Sequence, residues 1–380
     1  MATSSRSMAD GFGGTSHADG GTFEVGYTGS FSLAASIRFL EGFTPAGYED
    51  SSRNHLDLAF CAGPLWHPVA VRVAERAGKV IGSFVGDVSP EVVASDVARI
   101  LSLDVHAREF SDVGQRDDVV AGLQAKYPGL RPVCFWTPYE AACWAVIGHR
   151  IRMIQAAAVK AKMAQQLGHA IVLAGATLFS FPSPRRLVDL EGFPGLSGRK
   201  PEWLRGIAQA ALDGRLDPGA LRALPRSEAI DQLKELGGIG DFSAELILLR
   251  GAGDPDWAPR HEPRLISAMT LAYDRAHFDD HEVVVITSGW APYRTWVSLL
   301  LRVNLEDSTH EISGARGRAA RRWATRAFAD LRSGRRPLYL ATAPRRRHEF
   351  SIVSEGSPLR RAVDFSKTTT LIIAHDCPSL

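Results

Sequence analysis

The stretch Leu236-Gly237-Gly238-Ile239-Gly240-Asp241-Phe242-Ser243-Ala244 places three glycines between two segments of helical character. Upstream, Ile230, Leu233 and Leu236 share one helical face behind Ser227, a residue type that caps helices. Downstream, a second helix is predicted from about Asp241, with Ala244, Ile247 and Leu248 on its apolar face. Glycine permits positive φ and close approach of the backbone to a partner. A glycine hairpin that runs straight into a helix start offers unpaired backbone amides and the positive end of a helix dipole, which together favour an anion.

A second string, Trp257-Ala258-Pro259-Arg260-His261-Glu262-Pro263-Arg264-Leu265, follows closely: Glu262 lies 262 − 240 = 22 residues after Gly240. Pro263 suits the first turn of a helix, and Leu265, Met269 and Ala272 continue a helical face, so Glu262 is expected at a helix N-terminus. The dipole favours an ionised carboxylate there, although glutamate is not a preferred capping residue.

Working outward, the chain has 380 residues, 45% of them hydrophobic, enough for one large core or two modest ones. The net charge of +2 does not by itself announce a nucleic-acid partner. The charges are uneven, however: residues 315–347 hold Arg316, Arg318, Arg321, Arg322, Arg326, Arg332, Arg335, Arg336, Arg345, Arg346 and Arg347 against the single acid Asp330. A solvated basic tail and a phosphate-contacting face both fit that stretch. Cys61, Cys134, Cys143 and Cys377 form no CxxC pair, which argues against a zinc ribbon, a disulfide framework or a four-cysteine iron–sulfur cluster. The polar, glycine-rich start and the lack of any run approaching 18 apolar residues predict neither secretion nor a membrane span.

The fold class predicted is α+β. Residues 1–21 read as a disordered arm, and 22–127 as a mixed domain with strand-like runs such as PVAVRVAE and KVIGSFVG and a helix in PEVVASDVARILSLD. Pro128-Gly129 and Pro132 mark a boundary, and Thr137-Pro138-Tyr139-Glu140 reads as a capping box. A mostly helical domain is expected over 130–310, with apolar stripes at Trp144, Ile147 and Ile151, at Trp203, Ile207 and Ala210, and at Trp296, Leu299 and Leu300. The arginine-rich stretch and a loosely structured tail, with one β-like run TTTLIIA, complete residues 311–380.

The hairpin, its following helix, a proline-bearing loop and a carboxylate at a helix start resemble the helix-hairpin-helix superfamily of DNA glycosylases. TPYEAACWAVIGHRI, GLSGRKPEWLRGIAQAALDGRLD and GWAPYRTWVSLLLR narrow the resemblance to the 3-methyladenine DNA glycosylase II (AlkA-like) type, over about residues 130–303. The resemblance implies a monofunctional enzyme that flips out alkylated bases and hydrolyses their N-glycosidic bond, with a noncatalytic DNA-binding or lesion-sensing protein as the alternative. It implies duplex DNA with a damaged base as partner, a monomeric state, no resident cofactor, no membrane, and a cytoplasmic, nucleoid-associated location. The resemblance also allows a metal ion held by hairpin carbonyls, although no side-chain cluster here demands one.

Carried over by position, Glu262 is the catalytic carboxylate, where the family has aspartate. Phe242, Leu246, Trp290 and Tyr293 fall at or beside the base pocket, whose aromatic rings would favour a cationic base. Gly238, Ile239, Gly240 and Ser243 form the DNA grip, and Arg150 or Ile151 occupies the wedge position. Bifunctional members carry a nucleophilic lysine where this chain has Phe242, and without that amine no Schiff base forms.

Overall fold

The computed structural model describes residues 20–42 and 54–309. The remaining residues, which include nearly all of the expected N-terminal arm, the arginine-rich stretch, TTTLIIA and Cys377, lie outside the described residues.

The N-terminal region builds β1 (Gly20–Gly26), α1 (Leu33–Gly42), β2 (Leu56–Ala62), β3 (His67–Arg76), β4 (Lys79–Val85) and α2 (Pro90–Ile100). The four strands form an antiparallel sheet in the order β1-β4-β3-β2. PVAVRVAE and KVIGSFVG become β3 and β4, since alternating β-branched residues fit a pleated sheet with one buried face. Phe23 stands opposite Gly82, and its ring occupies the space a Cβ there would need. Val69, Val71 and Val73 of β3 pack with Val93, Val97 and Ile100 of α2 and Ile37 and Leu40 of α1 to make the first core.

Next come α3 (Phe110–Arg116), α4 (Asp118–Lys126), α5 (Pro138–Gly148), α6 (Met153–Leu167), β5 (Ala170–Leu173), β6 (Ala176–Phe179), α7 (Pro184–Leu187), α8 (Lys200–Leu212), α9 (Pro218–Ala223), α10 (Arg226–Lys234) and α11 (Asp241–Leu246). The helical path of α11 continues as a π-helical turn over Ile247–Ala252, followed by α12 (Pro263–Ala272), α13 (Asp280–Ser288) and α14 (Arg294–Thr309). A second core gathers α12 and α14 around Trp290, Tyr293 and Trp296, against Val113, Val120 and Leu123 of α3 and α4. Among the described residues no helix is long and apolar enough to cross a membrane. Cys61, Cys134 and Cys143 are free and buried.

Two buried arginines join the layers. Arg131 donates to the carbonyls of Thr28, Ser30 and Ser102 and lies within 5.7 Å of the rings of Tyr27, Phe31 and Trp296. Burial pushes its guanidinium down to about 10, still protonated at neutral pH. Arg99 of α2 donates to the carbonyls of Phe135, Trp136 and Gly251, tying the sheet domain to the start of α5 and the end of the π-helical turn. The bonds to the Ser102, Phe135 and Gly251 carbonyls are buried, where an unpaired carbonyl is costly.

The structure adds one element to the mostly helical domain and corrects two local expectations. β5 and β6 pair as a hairpin whose turn places Ala174 and Gly175 in the left-handed region. The capping box is half formed: Thr137 accepts from the Glu140 amide at 3.0 Å, but the Glu140 carboxylate pairs with Lys160 at 3.1 Å. Burial raises that carboxyl while the neighbouring lysine opposes the rise. Ser227 does not cap α10, because Pro225 takes the N-cap and moves Ser227 inside the first turn.

Candidate DNA-binding and active site

α10 ends with Leu233 and Leu236 buried, and Gly238, at φ 82°, turns the chain. Ile239 is buried and its amide donates to the Leu236 carbonyl, so of the residues expected to grip DNA this one is spent inside the hairpin. Gly240, in extended conformation, is the N-cap of α11, and no side chain caps the helix. The Asp241 amide meets its own carboxylate, which leaves the amides of Phe242 and Ser243 as the free donors of the first turn. The Ser243 side chain itself is buried.

Trp203 of α8 supports the hairpin from below. A Cβ on Gly237 would lie 2.5 Å from its Cδ1, and one on Gly238 would lie 2.6 Å from its Cε3. The same indole meets the His149 ring edge-on at 5.7 Å. His149 closes α5 and begins the loop carrying Arg150 and Ile151, and Lys200 donates to the Ile147 carbonyl at 2.9 Å. Burial first, then Lys200 and Arg150, push His149 below the usual imidazole range, which keeps it neutral at pH 7. Arg150 is exposed at φ 54°, at the tip of the loop, and Ile151 is half-buried beside it. One platform thus holds both the hairpin and the expected wedge.

At the mouth of the hairpin Asp241 pairs with Lys234 at 2.6 Å, and that lysine holds the carboxyl below its ordinary value. An acid here repels a phosphate and occupies a cation that would attract one. Asp241→Asn is expected to tighten duplex binding about threefold or more at low salt. It should also steepen the plot of log affinity against log salt by about one unit. Fluorescence anisotropy across a salt series reads both.

The loop from Gly253 to Glu262 is pinned along its length. Asp254 is buried and takes a two-pronged contact from Arg226 at 2.8 and 3.1 Å, and Asp256 meets Arg294 at 3.3 Å. The Thr295 hydroxyl accepts from the Trp257 amide and donates to its carbonyl. Glu245, buried in α11, accepts from the Trp257 indole at 3.2 Å and from the amides of Arg260 and His261 at 3.0 and 3.1 Å.

Glu262 is the N-cap of α12, as its position foretold, and its Oε1 accepts from the Arg264 amide at 3.3 Å. The residue is 8% exposed, and its Oε2 accepts from Arg302 of α14 at 2.7 Å. Burial lowers the Arg302 guanidinium, an effect Glu262 opposes. Phe242 and Leu246 lie one helical turn apart on α11, both half-buried.

Trp290 and Tyr293 are placed differently from the expectation. Trp290 is 0% exposed and donates to Asp117 at 3.1 Å, and Tyr293 is 1% exposed and donates to the His106 carbonyl at 2.8 Å. Both belong to the core between α14 and the α3–α4 layer, where their polar ends find partners, and neither forms an open pocket wall. Among the described residues no group of His, Cys, Asp or Glu side chains could hold a metal ion.

Three contributors escaped the sequence reading: Glu245, Arg302 and Trp203 in its role as platform. The only trace of the first is an acid on the apolar side of α11, and of the second an arginine at the end of an apolar run.

The fold is similar to that of a solved structure. The 3-methyladenine DNA-glycosylase from Archaeoglobus fulgidus superposes with a TM-score of 0.62 over 76% of this chain and 99% of that one, at 20% identity. The chain shares the fold of that glycosylase. No protein-family model matches it. A DNA-3-methyladenine glycosylase of Bacillus subtilis (strain 168) is 23% identical to this glycosylase-fold chain over 287 residues, 71% of this chain and 93% of the relative. A probable bifunctional transcriptional activator/DNA repair enzyme AlkA of Mycobacterium tuberculosis is 24% identical over 218 residues, 56% of this chain and 42% of that longer relative.

Proposed function

We propose that this chain is a monofunctional DNA glycosylase that acts as a monomer on duplex DNA and hydrolyses the N-glycosidic bond of alkylated bases. The observation that carries this reading is the placement of Glu262: a fixed carboxylate at the start of α12, on the loop that leaves the hairpin helix. The first-turn amides of α11, with Gly240 keeping the approach open and Gly238 turning the chain against Trp203, take a DNA phosphate. Arg150 or Ile151, at the tip of the neighbouring loop, fills the gap left by the flipped nucleotide. Phe242 and Leu246 border the extruded base, a less aromatic wall than four aromatic positions would give.

An alkylated purine carries positive charge on its ring, so it departs with the bonding electron pair as a neutral base and needs little general-acid help. As the C1′–N bond stretches, C1′ gains oxocarbenium character, which the Glu262 carboxylate stabilises. Water attacks C1′, and its proton passes to Glu262 or to solvent. Phe242 offers no amine, so the sugar is hydrolysed and the strand is left intact. The reading places the protein on the chromosome, in the cytoplasm.

A binding-only, lesion-sensing protein is the second reading, favoured by one observation: Arg302 neutralises much of the charge on which Glu262 would act. Purified protein on methylated duplex DNA separates the two. Release of free base, with nicks only after alkali, supports the hydrolase. Salt-sensitive binding without release supports the second reading, and nicks before alkali overturn the monofunctional assignment.

A further inference from the structure

Glu245 is a buried charge inside a short helix. It is 3% exposed, it sits on α11 five residues past the hairpin's last glycine, and every partner it has belongs to the loop that ends at Glu262. Oε1 accepts from the Trp257 indole and the Arg260 amide, and Oε2 accepts from the His261 amide. The His261 ring approaches Oε1 at 3.3 Å. The two amides belong to the residues immediately before Glu262, so their direction sets where the Glu262 backbone enters α12. A carboxylate is hard to bury and stays buried only where donors surround it. Here all those donors come from one short loop.

Resting on the assignment of Glu262 as the catalytic carboxylate, we propose that Glu245 is its positioning residue. From inside the helix that takes the DNA phosphate, it grips the loop backbone at Arg260 and His261 and so fixes the Glu262 carboxylate relative to the bound strand. One rigid helix then carries the phosphate grip at its first turn and the anchor of the catalytic loop a turn later. A misplacement of about 1 Å at a reacting centre costs on the order of 100-fold in rate, which is the scale at stake.

The test compares Glu245→Gln and Glu245→Leu with the wild type and with Glu262→Gln, on methylated duplex DNA. It reads single-turnover base release, duplex affinity, melting temperature and amide hydrogen exchange. Glutamine keeps one acceptor oxygen, whereas leucine keeps none. Expected are rate losses of about 10-fold for Gln and 100-fold for Leu, with duplex affinity within about twofold of wild type. Exchange at the Arg260 and His261 amides should quicken by about tenfold or more in the Leu variant, while α5 amides keep their protection.

Wild-type release by Glu245→Leu overturns the proposal, provided Glu262→Gln is inactive. Equal loss of affinity, melting temperature and rate in Glu245→Gln also overturns it, since the carboxylate would then hold the domain as a whole. If Glu262→Gln releases base at the wild-type rate, the assignment of Glu262 fails instead, and the exchange data still report whether Glu245 holds the loop.

Discussion

Glu262→Gln lowers single-turnover base release by about 100- to 1000-fold, the usual scale for removing one group that stabilises transition-state charge, and leaves duplex affinity nearly unchanged. The geometry makes this an informative substitution. The glutamine carbonyl can still accept from Arg302 or from the Arg264 amide, so the side chain keeps its place at the start of α12. What disappears is the negative charge. Arg302, whose charged form burial already disfavours, then loses one of its counter-charges and keeps Glu306, and the fold should weaken by about 1–3 kcal/mol. A thermal melt run beside the kinetic assay separates that modest loss from the much larger loss of rate. A glutamine variant that releases base at the wild-type rate sinks the assignment, and one that loses affinity in step with rate shows that Glu262 belongs to the grip rather than to the chemistry.

The Arg302 pair also bears on the chain's departure from aspartate. Glutamate's extra methylene lets one carboxylate do two jobs here: Oε1 stays within reach of the Arg264 amide while Oε2 meets an arginine on α14. The residue that looked like a poor cap is held in place by a partner 40 positions later, which supplies what cap preference does not.

That pattern separates what could be read from the chain from what could not. Features set by local backbone chemistry were legible: the glycines of the hairpin, Gly240 before α11, Thr137 at the head of α5, and the alternation that becomes β3 and β4. Features set by a partner distant in sequence were not. Glu140 turns to Lys160 on the following helix instead of its own cap, and nothing within a helical turn of Glu140 announces that lysine. The β5–β6 strands are four residues each, too short for alternation to stand out among helices. Trp290 and Tyr293 follow the family pattern in sequence, yet Asp117 and the His106 carbonyl, far earlier in the chain, draw them into the core. Glu245 looks like any helical acid until the loop folds over it.

Gly238→Ala and Gly240→Ala, two substitutions of the same size two residues apart, are expected to fail in different ways. At Gly238 the added Cβ meets Trp203 at 2.6 Å and Val146 at 3.2 Å, and φ of 82° is unfavourable for any L side chain. The left-handed backbone alone costs roughly 1–2 kcal/mol, and moving a half-buried indole adds to it. Because that indole also supports His149, the disturbance reaches the Arg150 loop, so a lower melting temperature and a duplex affinity weakened by about tenfold or more should appear together. At Gly240 a Cβ meets nothing within 4 Å, and φ of −102° suits alanine, so the melting temperature should stay at the wild-type value. Any loss of affinity there comes from the ligand side, since the new methyl stands beside the amides that begin α11. Binding lost at Gly240 without loss of stability supports a phosphate seated on those amides. Wild-type binding by Gly240→Ala, with Gly238→Ala impaired only as far as its melting predicts, would mean that the glycines shape the hairpin around Trp203 and that DNA makes its contacts elsewhere.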